Sequence, residues 1–83
     1  AYTILNGEYE VIEADIIETS ELINQSLKDS NLPDEIRVGA VLRNGKVIIP
    51  RSDFVFKKKD TVVFLAKKDA ISIVENLFRI SSI

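Results

Sequence analysis

Few side chains in this sequence can do chemistry, and those that can are concentrated around one short stretch. In "VLRNGKVIIPRSD", residues 41–53, Arg43 and Asn44 are adjacent. Arg43 offers a planar donor fork that matches a carboxylate or a phosphate, and Asn44 adds an amide that both donates and accepts. The pair is an anion site if the fork is free. It is a structural tie if the acid-rich N-terminal half relieves its charge. A second group is acidic: Glu8, Glu10, Glu13 and Asp15. A calcium loop needs converging oxygens and a sharp glycine turn. This spacing supplies neither, so a solvated strand face is the reading and no metal site is expected. A third group is Lys57, Lys58 and Lys59. With only Phe54 and Phe56 nearby as stacking platforms, these lysines read as a turn that blunts aggregation. No nucleic-acid partner is expected.

The missing residue types exclude more than the present ones suggest. The 83 residues contain neither histidine nor cysteine. Disulfides, thiolate nucleophiles, the usual zinc sites and histidine acid–base catalysis are therefore out of reach. The only glycines are Gly7, Gly39 and Gly45, so no glycine-rich phosphate loop can form. No activated nucleophile accompanies the carboxylates, and an enzyme is not expected. No apolar run is long enough to span a bilayer, and no secretory leader opens the chain. A composition of 46% hydrophobic and 29% charged residues fits one soluble globular domain over residues 1–83. Charge is divided along the chain. Residues 1–35 carry nine acids against Lys28, whereas residues 36–83 carry ten bases against four acids. Folded together, the halves complement each other; between two copies, the same asymmetry could orient them.

The elements that must position these residues follow from periodicity. "EYEVIEADI" (8–16) alternates with a slip, so it is a strand with a bulge or a strand with apolar groups on both faces. "TSELINQSLKDSN" (19–31) reads as a short helix capped by Thr19 or Ser20, with Leu22, Ile23 and Leu27 as its stripe. "IRVGAVLRNGKVIIP" (36–50) is a hairpin, because Asn44-Gly45 suits a two-residue type I′ turn. That turn pairs Arg43 with Lys46, Leu42 with Val47 and Val41 with Ile48. It predicts a core face of Ile36, Val38, Ala40, Leu42, Val47 and Ile49. The opposite face, with Gly39, Val41, Ile48 and Pro50, is then too apolar for solvent. It is either covered within the chain or used for self-association or a ligand. Arg43 directly across from Lys46 is a like-charge pair that needs relief. "DFVF" (53–56) predicts a very short strand, and "TVVFLA" (61–66) a strand covered on both faces. "DAISIVENLFRI" (69–80) predicts an amphipathic helix, with Asp69 as cap and Ala70, Ile71, Val74, Leu77 and Phe78 on one side. The fold class is α+β: a small, mostly antiparallel sheet built from strand, helix, hairpin, one or two strands and a C-terminal helix.

The order of Leu32-Pro33, Arg43, Asn44-Gly45, Pro50, Asp53 and Asp60 along residues 8–80 resembles the TrkA-C family, the C-terminal subdomain of RCK-type regulators of potassium transport. Lys59 and Ser52 stand where the family usually has glycine, which touches local turn geometry only. The resemblance implies a non-catalytic, cytoplasmic regulatory domain that lies at the inner face of the membrane through its transporter. It implies a homodimer and a membrane potassium-transporter subunit as partner. The chain is then a C-terminal piece of a longer protein, and NAD or ATP would bind a separate Rossmann domain rather than this one. Some relatives bind cyclic di-AMP between two such domains, and the resemblance extends to a nucleotide ligand of that kind. The candidate ligand surface is Val41, Arg43, Asn44, Ile48 and Pro50, and the candidate dimer contact is Gly39, Val41 and Ile48. The alternative is a sensory domain of another cation transporter or antiporter, or of a transcription regulator.

Overall fold

In the computed structural model, which describes residues 2–80, the chain forms one antiparallel sheet. The strands are β1 (Tyr2–Ile4), β2 (Tyr9–Ile16), β3 (Ile36–Arg43), β4 (Lys46–Ile48), β5 (Thr61–Lys67) and β6 (Phe78–Ile80). Their order is β1-β2-β5-β3-β4, with β6 joining β2 beyond the end of β1. The most apolar strand, β5, is thus the central one. Its even residues, Val62, Phe64 and Ala66, are fully buried. They lie beside Ile12 and Ala14 of β2 and beside Val41 and Ile36 of β3. The opposite face of β5 is only partly covered, and Leu65 is 36% exposed there. The sheet is therefore covered on one side, not on both.

The inner side is covered mainly by irregular chain. Leu22, Phe56, Ala70, Val74 and Phe78 complete the core. The expected helix over 19–31 is absent. In its place is a series of four-residue β-turns, such as those closed by Ser20 N–H to the Ile17 carbonyl and Gln25 N–H to the Leu22 carbonyl. Two things defeat the helix. Asn24 and Asn31 take positive φ angles, 68° and 55°, which asparagine tolerates better than most residues. In addition, the amides of Asn24, Leu27 and Lys28 donate to the carbonyls of Phe56, Phe54 and Ser52 instead of back along a helix. The segment 52–56 is consequently a tether rather than a strand, with a single bridge between Val55 and Ser26. Ser20 does meet an orphan amide, as expected of a cap, because its Oγ accepts from Leu22 N–H at 3.2 Å.

The C-terminal helix is also much shorter than its periodicity predicts. One α-turn, α1 (Ile71–Val74), follows a 3-10 turn, and residues 78–80 then form β6. The free margin of β2 offers a backbone ladder, Ile16 with Phe78 and Asp15 with Arg79. Phe78 also reaches Phe64, with ring centroids 5.1 Å apart. Pairing and burial together outweigh a helical stripe that is only a few turns long.

β2 itself pairs with β5 without interruption from Tyr9 to Asp15. The slip in its pattern reflects two apolar faces, not a bulge. The irregularity lies in β3, between Val38 and Ala40. This bulge at Gly39 reverses the inside–outside sense of all that follows in the hairpin. Val41 becomes fully buried, whereas Val47 and Ile49, expected in the core, are 67% and 73% exposed. Ala40 and Leu42 are half-buried.

Candidate functional site

The hairpin turn forms as its residues dictate. Asn44 and Gly45 have φ angles of 52° and 76°. The pairs Arg43–Lys46, Leu42–Val47 and Val41–Ile48 are all made. The bulge at Gly39 determines what the pairing achieves. Because it reverses the faces, Arg43 lies on the same side of β3 as buried Val41 and points toward the start of β5.

Asp60 waits there. Its carboxylate is fully buried, and Arg43 grips it with both arms of the fork. Arg43 Nε donates to Oδ1 and Nη2 to Oδ2, each at 2.7 Å. Nη2 also donates to the Val55 carbonyl at 2.9 Å. The amide of Lys57 donates to Oδ2 at 2.8 Å, which closes the 57–60 turn onto the same carboxylate. The guanidinium carbon lies 4.9 Å from the centre of the Phe54 ring, and Phe54 packs edge-on against Phe56. Bidentate geometry, a buried acceptor and an aromatic floor each strengthen a charge pair. The bond to Asp60 is the main reason the guanidinium is held above its ordinary pKa; partial burial opposes it and the attraction of Asp60's charge assists.

This arrangement resolves the like-charge pair. Arg43 escapes Lys46 by turning inward, and its partner is Asp60, not the acidic N-terminal half as expected. Among the described residues Arg43–Asp60 is the only direct ion pair. The opposite charges of the two halves are thus not spent on each other. Sequence reasoning did not include Asp60 in the site. The signal was nonetheless present: a cross-strand cationic pair needs an acid, and Asp60 stands at the mouth of the next strand.

The other candidates divide. Val41 is buried, so neither a ligand nor a second chain meets its side chain. Ile48 and Pro50 are half-buried, and Gly39 and Asn44 are exposed. Gly39, Val41 and Ile48 therefore share no single surface. A ligand at the hairpin would meet Asn44, Ile48, Pro50 and the free edge of Arg43, whose Nη1 has no hydrogen-bond partner among the described residues. Phosphate fits such a donor set. No group of three or more potential metal-binding residues assembles among the described residues. A separate cleft of 420 Å³ brings Lys58, Lys59 and Arg79 beside Asp15 and Glu18, whose acids offset most of its positive charge. Among the described residues no helix is long and apolar enough to cross a membrane.

The sequence matches the TrkA-C domain over residues 11–79. The chain belongs to the TrkA-C family. Among its relatives is the Trk system potassium uptake protein TrkA of Azorhizobium caulinodans, 45% identical over 80 residues. Those residues are 96% of this chain and 18% of the relative. A TrkA homolog from Archaeoglobus fulgidus is 29% identical over 92% of the chain and 17% of its own length. One from Pyrococcus abyssi is 32% identical over 82% of the chain and 30% of its own length. This TrkA-C domain thus spans under a fifth of the first two relatives. In this member of the family, Arg43 and Asp60 together hold the hairpin onto the domain.

Proposed function

We propose that this TrkA-C domain is a non-catalytic regulatory module of a Trk-type potassium-uptake system. In this reading it pairs with a second copy, and through the rest of a longer cytoplasmic protein it passes a ligand signal to a membrane potassium transporter. The observation that carries the reading is the 45% identity to a Trk potassium uptake protein across nearly the whole chain. The Arg43–Asp60 clasp gives the coupling a physical route. A ligand that pulls on Asn44 or on the free edge of Arg43 pulls on Asp60, and so on the 57–60 turn and the central strand. Such a ligand regulates only if it binds one state of the assembly better than another, with a coupling of about 1–3 kcal/mol. The ligand surface is Arg43, Asn44, Ile48 and Pro50, and an anionic nucleotide such as cyclic di-AMP suits its donors. NAD or ATP would belong to a separate Rossmann domain.

The test is thermal unfolding of the domain with cyclic di-AMP, ATP, NADH, potassium and divalent cations in turn. A ligand at about 100 times its dissociation constant adds about 2.7 kcal/mol to stability. Asn44→Gly is the informative variant, because it removes the amide and keeps the positive-φ turn. The same substitution in the full-length protein should blunt the ligand's effect on potassium uptake. If no ligand shifts the midpoint, sensing lies elsewhere in the protein and the domain is a pairing and coupling element.

A further inference from the structure

The outer face of the sheet is apolar along one diagonal and charged at the two remaining corners. The strand register defines the layout. Val11, Leu65 and Arg37 share one row; Glu13, Val63 and Ala40 the next; Asp15, Thr61, Leu42 and Val47 the last. Ile4 and Tyr9 begin the diagonal, Leu65 and Val63 continue it at the centre, and Leu42 and Val47 end it. Ile4, Leu65 and Val47 are exposed, at 40%, 36% and 67%. One corner off the diagonal carries Arg37 and Lys67; the opposite corner carries Glu13 and Asp15. All four charged residues are exposed, and none forms an ion pair among the described residues.

We infer that this face receives a second copy of the chain, about a two-fold axis lying in the sheet plane along the apolar diagonal. This rests on the proposed pairing and identifies the surface and its orientation. A two-fold axis along the diagonal packs the apolar stripe on itself. It exchanges the two charged corners, so Arg37 and Lys67 of one copy lie over Glu13 and Asp15 of the other. Such self-complementarity is what an isologous dimer requires. A face that carries both signs suits a copy of itself better than it suits an anionic lipid surface. The rim of each corner carries the opposite sign: Arg79 pairs across from Asp15, and Asp34 and Glu35 border Arg37 and Lys67. The complementarity of the strand-borne charges therefore sets orientation more than affinity.

The test is sedimentation equilibrium of this chain over a wide concentration range, with circular dichroism as a check that each variant is folded. Leu65→Lys, Arg37→Glu and Glu13→Arg should each weaken self-association by about tenfold or more. Arg37→Glu combined with Glu13→Arg should restore it. Ile73→Ser, an exposed apolar site on α1, should leave it unchanged. A dimer indifferent to Leu65→Lys would overturn this surface while the pairing reading stands. A dimer weakened by both single reversals and not restored by the pair would overturn the two-fold orientation. A chain that stays monomeric throughout would sink the pairing reading and this inference with it.

Discussion

Removal of Arg43 should cost this domain more than any other single surface-reaching substitution. In Arg43→Ala the buried Asp60 carboxylate loses two 2.7 Å bonds and retains only the Lys57 amide. Breaking a buried pair from one side costs about 3–5 kcal/mol. Because 30% of the Arg43 side chain is exposed, solvent screens part of the attraction, which places the loss near about 3 kcal/mol. At about 4–8 °C per kcal/mol for a domain of this size, the unfolding midpoint should fall by about 12–24 °C. Arg43→Lys retains the charge but not the fork and should cost about 1.5 kcal/mol, one charged hydrogen bond. Arg43→Leu with Asp60→Leu removes both charges together and should recover much of the loss. Urea unfolding followed by far-ultraviolet circular dichroism measures all three, since the chain has no tryptophan. A cost for Arg43→Ala below about 1 kcal/mol, typical of exposed pairs, would refute the clasp.

Other expectations follow from the same structure. Val41→Ala should lose about 2 kcal/mol, and Val47→Ala under about 0.5 kcal/mol when measured dilute enough to keep the chain monomeric; equal costs would contradict the reversal of faces at Gly39. Gly45→Ala should cost about 1 kcal/mol or more because φ is 76° there, with no change in the cooperativity of urea unfolding. Arg43's raised pKa means its contribution is fully present below the unfolded value and lost only as pH rises through the folded one. The stability gap between the native chain and the Arg43→Leu, Asp60→Leu double variant should therefore stay flat from about pH 6 to pH 9 and change only in strong alkali. Native-state hydrogen exchange should be slowest in β5, which is paired on both sides, and faster in the three-residue β1 and β6.

The sequence by itself determined the local chemistry of this protein. Asn44-Gly45 specifies its turn and pairing because positive φ at two successive positions leaves few alternatives. The absence of histidine and cysteine removes most catalytic and metal chemistry whatever the fold. The run "TVVFLA" announces a strand, though not that only one of its faces is covered, and the order of turn residues announces the family. Tertiary structure decided which face of each strand is inside, because one extra residue at Gly39 inverts every position after it and periodicity cannot see where a bulge falls. It decided that 19–31 gives its amides to 52–56 and that 78–80 joins β2, since long-range backbone partners outcompete short helical stripes. It also decided that Arg43 belongs to Asp60. The two residues are seventeen apart in the chain, and only the β3–β5 pairing brings the fork and the buried carboxylate into one place.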